Sequence, residues 1–143
     1  MTELPAVTNA ALPHMLPACA NARIALFAIR RMGAHGLADA RAAHALFTAF
    51  GQGFRRPLIL MRSLMADLAG TASGTIAIAP CCCARMTPAE SAILTILSRV
   101  ETTPELARLL MADLIGVRRV DGVLATAAAV AAAFADKGRP IIV

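Results

Sequence analysis

Thr87-Pro88-Ala89-Glu90-Ser91-Ala92-Ile93-Leu94-Thr95-Ile96-Leu97-Ser98-Arg99-Val100 opens with a capping box. Thr87 suits the N-cap, Pro88 the first helical position and Glu90 the third, where its carboxylate reaches back to the cap N–H. Ile93, Ile96, Leu97 and Val100 then fall at i, i+3, i+4 and i+7, one apolar stripe of a helix that needs a partner. The same opening recurs at Thr103-Pro104-Glu105 and predicts a further helix stopped by Gly116. Downstream, Asp121 caps a sixth helix with a stripe of Val123, Ala127, Val130 and Phe134, stopped by Gly138. Upstream, helix one is expected from Ala18 to Met32, ending at Gly33. Helix two starts at Asp39 with the stripe Ala43, Leu46, Phe47 and Phe50 and closes at Gly51 and Gly53. Helix three has Pro57 in its first turn, the stripe Leu58, Met61, Leu64, Met65 and Leu68, and a stop at Gly70. About six helices joined by short loops predict an all-α antiparallel bundle.

Two segments break the helical period. Residues 1–17 contain Pro5, Pro13 and Pro17 and read as an extended arm, leaving 18–143 as a single helical domain. Thr71 to Pro80 is turn-rich and then alternates at period two, so 75–79 is expected to form a minimal strand pairing with 140–143. Leu64-Met65-Ala66-Asp67-Leu68-Ala69-Gly70 also recurs as Leu110-Met111-Ala112-Asp113-Leu114-Ile115-Gly116, which fits two pseudo-repeated hairpins as well as coincidence in a Leu- and Ala-rich chain. An Asp in the last turn of a helix opposes the helix dipole. Asp67 and Asp113 are therefore each expected to meet an arginine of another helix.

The 143 residues are enough for one domain with its own core. Hydrophobic residues make up 58%, much of it Ala, so the core should be tight and built of small side chains. The formal net charge of +5 comes from arginine, Lys137 being the only lysine. That balance permits an anionic partner, and it equally suits arginines scattered over a solvated surface. Without Trp or Tyr there is little to stack on bases. The start Met1-Thr2-Glu3-Leu4-Pro5 lacks the basic and apolar regions of a secretory signal, and Val123 to Ala135 is shorter than the ~20 residues that span a bilayer. A cytoplasmic protein without a membrane span is expected, with its cysteines as thiols or ligands rather than bridges.

Chemistry concentrates in Pro80-Cys81-Cys82-Cys83. Neighbouring Cα atoms lie ~3.8 Å apart, below the disulfide range, so a bond between adjacent cysteines is strained, whereas Cys81 to Cys83 is easier. Thiolates also bind soft metals, and Cys81, Cys82 and Cys83 with His35 or His44 form a candidate zinc or iron site. Cys19 and His14 are more distant sources of ligands, and no C-x-x-C or H-x-x-x-H spacing supports the set. A third reading is an activated thiol, because Cys83 precedes a helix N-terminus and Arg85 is nearby. The plain alternative makes these cysteines small hydrophobes under a loop. Each histidine has its own plain reading as a surface residue, or as one that hydrogen-bonds a helix end. Arg30, Arg31, Arg55 and Arg56 form two basic pairs that could bind an anion or simply face water.

Two other classes compete with a thiol-based metal-binding or redox-sensing module. A structural or protein-interaction module would self-associate through an Ala-rich helix face. A helix-turn-helix DNA-binding protein would use Met86 to Ile115, but its reading helix, Gly122 to Phe134, offers a base edge only Thr126. Nucleic acid is therefore not the expected partner. No serine elbow, phosphate-binding loop or paired-carboxylate arrangement names a reaction, and no catalytic residue is assigned.

The runs Arg30-Arg31-Met32-Gly33-Ala34-His35-Gly36-Leu37, Phe54-Arg55-Arg56-Pro57-Leu58 and Ile78-Ala79-Pro80-Cys81-Cys82-Cys83 through Met86-Thr87 together resemble a family of short bacterial helical proteins catalogued only as a domain of unknown function. The resemblance covers most of the chain from Pro13 onward. It implies a stand-alone cytosolic protein and carries over no catalytic residues.

Overall fold

The computed structural model describes residues 12–143; the first eleven residues of the expected arm lie outside the described residues. Six α-helices are present: α1 (Ala20–His35), α2 (Ala40–Phe50), α3 (Arg55–Thr71), α4 (Pro88–Arg99), α5 (Pro104–Ile115) and α6 (Asp121–Asp136). A 3-10 turn, Gly51–Phe54, joins α2 directly to α3, so the described residues make five continuous helical segments. This corrects the expectation of about six separate helices. Gly51, at φ +63°, reverses the chain without a loop.

Helices α2 and α4 begin at the caps the sequence marks, whereas Asp121 is the first residue of α6 rather than its cap, Val120 holding the N-cap position without a side-chain bond. Thr87 accepts from Glu90 N while Glu90 reaches back to the cap N–H, forming the full capping box. Asp39 caps α2 by accepting from Ala42 N at 2.9 Å. Gly116 ends α5 in the left-handed conformation at φ +72°. In contrast, α1 runs through Gly33 to stop at Gly36, and α3 continues past Gly70 to Thr71. A lone glycine costs a helix only about 1 kcal/mol, and neither Gly33 nor Gly70 stops the helix that runs through it.

The Ala-rich α6 is the hub. It lies along α3 and also touches α4 and α5, with Val130 and Phe134 fully buried. The helix that a DNA-reading arrangement would lay in a groove is therefore a core element, and its small residues serve packing within the chain. Phe50 of α2 meets Phe134 edge-on with ring centroids 5.0 Å apart, tying the first half of the molecule to the last.

The strand pairing lies elsewhere than the alternation suggested. β1 (His14–Met15) and β2 (Arg85–Met86) pair antiparallel, His14 opposite Met86 and Met15 opposite Arg85. Residues 75–79 are extended without a ladder; their alternation exists because Ile76 and Ile78 pack on the core. Residues 140–143 instead cross the start of α1, where Pro140 O accepts from Asn21 Nδ2 at 3.0 Å. Asp67 also differs from expectation, since its carboxylate accepts from Thr126 Oγ1 at 2.7 Å rather than from an arginine. Asp113 is exposed, with no ion pair among the described residues. The echoed ends of α3 and α5 do abut, with Ser73 N donating to Ile115 O at 2.8 Å. Among the described residues, no helix is long and apolar enough to cross a membrane.

Candidate functional site

Two adjacent arginines on α1 organise the cysteine segment, and their side chains go opposite ways. Arg30 turns inward and is 2% exposed. Its Nε donates to Glu90 Oε2 at 2.7 Å and its Nη2 to Glu90 Oε1 at 3.1 Å, a forked pair inside the molecule. The same guanidinium donates to Cys83 O at 2.8 Å and Arg85 O at 2.7 Å. Glu90 completes its shell with Ala79 N at 3.1 Å and Thr87 N at 2.9 Å. One buried ion pair thus gathers the backbone on both sides of the cysteines, and each charge is met by fixed dipoles as well as by its partner.

Arg31 turns outward and forks onto Asp39 at 3.0 and 2.9 Å. The bond from Arg31 holds the Asp39 carboxyl down at about 2, with the Ala42 N–H and the nearby His35 adding to the effect against partial burial. Arg31 is in turn raised above its usual value, first by its hydrogen bond to Asp39, with a smaller contribution from the nearby Cys81. A cleft of about 260 Å³ runs between this end of α1 and residues 78–81, and Arg31, His35, Gly33, Ile78 and Cys81 line it. Its apolar floor and cationic rim suit a small polar molecule more than a long chain.

The cysteines divide into different environments. Pro80 to Cys83 is a β-turn closed by Cys83 N on Pro80 O at 3.1 Å. Cys81 and Cys82 are exposed at its tip, while Cys83 is buried against Leu12 and Ala79. The plain reading of a packed cysteine therefore describes Cys83, the residue for which the sequence suggests an activated thiol, and the Arg85 guanidinium there donates to Leu12 O and Pro13 O. Cys19 stands apart at the N-cap of α1. Partial burial pushes its thiol up, but the N–H groups of Ala22, Ile142 and Asn21 together outweigh that and bring it below the ordinary 9.0. In the sequence Cys19 reads only as a distant source of a ligand. Its position just before the period of α1 was the available signal, obscured because cysteine is not among the usual caps.

The other expected site residues are dispersed. His44 lies on α2 beside a separate hollow with Phe27 and Arg41. His14 is exposed in β1. Arg56 makes a long, exposed ion pair with Asp136 at 3.7 Å, and Arg55 is exposed next to it. Among the described residues, no three of His, Cys, Asp or Glu converge to hold a metal ion. The zinc or iron expected from Cys81, Cys82, Cys83, His35 and His44 has no ligand set there, because only His35 and Cys81 share a cleft.

Fold and site together define a small helical bundle that presents a cysteine turn beside a fixed arginine. Residues 5–134 match the family of unknown function DUF6628, and the chain belongs to that family. The match begins upstream of Pro13, where the resemblance was placed. Neither the curated proteins nor the solved structures yield a match.

Proposed function

We propose that this protein is a thiol-based redox-sensing module whose responding group is Cys81. The observation that carries this reading is the cleft that brings Cys81 together with His35 and with the Arg31 guanidinium, which Asp39 holds in place. The thiolate is the reactive form of cysteine, and the Arg31 guanidinium is a fixed cation lining the same cleft as Cys81. Cys81 is exposed at the edge of this cleft, so its sulfur is open to a small oxidant. This reading takes the redox branch of the cysteine chemistry, since the described residues supply two candidate ligands at this cleft rather than the four of a closed metal site.

A Cys19→Ser/Cys82→Ser/Cys83→Ala variant leaves Cys81 as the sole thiol. Its rate of oxidation by hydrogen peroxide at pH 7, read by trapping the sulfenic acid and mass spectrometry, should exceed that of an unstructured cysteine peptide by about tenfold or more. Arg31→Gln in the same background should bring the rate back toward the peptide. A rate equal to the peptide and indifferent to Arg31 rejects the proposal.

A further inference from the structure

The turn that carries Cys81 also carries a second thiol at a spacing that can trap it. Cys81 and Cys83 occupy the second and fourth positions of the Pro80–Cys83 turn. Folding two ~3.8 Å Cα steps through a turn leaves their Cα atoms about 5–6 Å apart, inside the range that disulfides span. Cys82, one residue from Cys81, falls below that range. The backbone around the pair is pinned by Arg30 on Cys83 O and Arg85 O and by Glu90 on Ala79 N. The Cys83 side chain is packed against Leu12 and Ala79.

That packing is what seats the N-terminal strand. β1 is two residues long and exposed, too short to persist on ladder bonds alone. Arg85 grips it through Leu12 O at 2.7 Å and Pro13 O at 3.1 Å, and Leu12 is its apolar anchor, 7% exposed over Cys83. We propose that Cys83 is the resolving thiol for oxidised Cys81, and that drawing its side chain into the disulfide removes the support under Leu12 and loosens β1 from β2. The inference rests on Cys81 being the responding thiol.

The chemistry balances with hydrogen peroxide as the oxidant. The Cys81 thiolate attacks one peroxide oxygen, the O–O bond breaks, and hydroxide leaves; sulfur is oxidised by two electrons to the sulfenic acid and peroxide is reduced. The Cys83 sulfur then attacks the Cys81 sulfur, forming the S–S bond and breaking S–OH. The Cys83 proton joins the departing hydroxide as water. A low-molecular-weight thiol reverses the bond by exchange.

The test treats the full chain with one equivalent of hydrogen peroxide, maps disulfides by mass spectrometry, and follows hydrogen exchange of peptides covering residues 12–16 before and after. Wild type should form Cys81–Cys83, and exchange in 12–16 should accelerate about tenfold or more. Cys81→Ser and Cys83→Ser should show no oxidation-induced change, with Cys83→Ala as the second variant should a buried serine disturb the fold. A Cys81–Cys83 bond that leaves exchange unaltered overturns the inference. So does a Cys81 sulfenic acid that persists or pairs with Cys82, although the sensing reading then survives. A Cys81 that peroxide does not oxidise overturns both.

Discussion

At the residue scale, the Arg31–Asp39 pair makes a prediction whose direction follows from where Asp39 titrates. Its folded carboxyl sits at about 2, below the ordinary 3.8. The unfolded chain therefore binds the proton more readily, and the pair's contribution is complete above the ordinary value and lost as pH falls toward 2. Asp39→Asn should flatten the decline of stability between pH 4 and pH 2 relative to wild type, measured as urea midpoints across that range. An unchanged slope would show that Asp39 titrates in the folded protein as it does in the unfolded one. Cys19 supplies the companion case for a thiol. Three backbone N–H groups favour its anion, so the pH midpoint of its alkylation by iodoacetamide should lie below 9.0, read from the Cys19 peptide alone. A midpoint at or above the ordinary value would show that these N–H groups do not favour its anion.

At the element scale, two helix starts that look alike in sequence differ in strength. Thr87 accepts from Glu90 N at 3.0 Å and also donates to Ala77 O at 2.8 Å, whereas Thr103 forms no side-chain cap. Thr87→Ala should cost about 1–2 kcal/mol and Thr103→Ala only a few tenths, measured by denaturant unfolding. Equal losses would mean that propensity rather than capping sets both starts. Gly116 is constrained twice, by its φ of +72° and by Ser73, whose Oγ occupies the place of an added Cβ. Gly116→Ala should therefore destabilise by about 1–3 kcal/mol, and Gly116→Ala/Ser73→Ala should recover only the steric part. These features mark how far the sequence was legible. Capping residues act through bonds three residues away, so Thr87, Asp39 and Gly116 declared themselves. The β1–β2 pair did not, because two-residue strands have no period and their register depends on Arg85 reaching across to Leu12 and Pro13. Residues 75–79 misled for the converse reason, since an extended chain laid on a helical core alternates as a strand does.

At the scale of the whole molecule, the site is held by residues that no sequence pattern joins. Arg30 and Arg31 are identical neighbours in an arginine-rich chain, and 60 positions separate Arg30 from Glu90. Only the packing of α1 against α4 sends one guanidinium into the core and leaves the other at the cleft. The legible capping box likewise hid its larger role, because Glu90 uses one carboxylate to cap α4, bind Ala79 N and pair with Arg30. Removing the charge at one end should be worse than the loss of one bond, since it leaves Arg30 ionised and 2% exposed without its counter-charge. Glu90→Gln should lower stability by about 3–5 kcal/mol, the usual loss on breaking a buried pair from one side. Replacing both ends with apolar residues, Arg30→Met with Glu90→Leu, removes the uncompensated charge. It still removes the bonds that the pair makes to the carbonyls of Cys83 and Arg85 and to the N–H groups of Ala79 and Thr87. The double variant should therefore recover part of the loss and not all of it, unlike an isolated ion pair, which apolar replacement often matches. Urea unfolding of the single and double variants decides this. Full recovery would mean that the pair serves only itself, while partial recovery with faster hydrogen exchange at residues 79–87 would identify it as the brace of the cysteine turn.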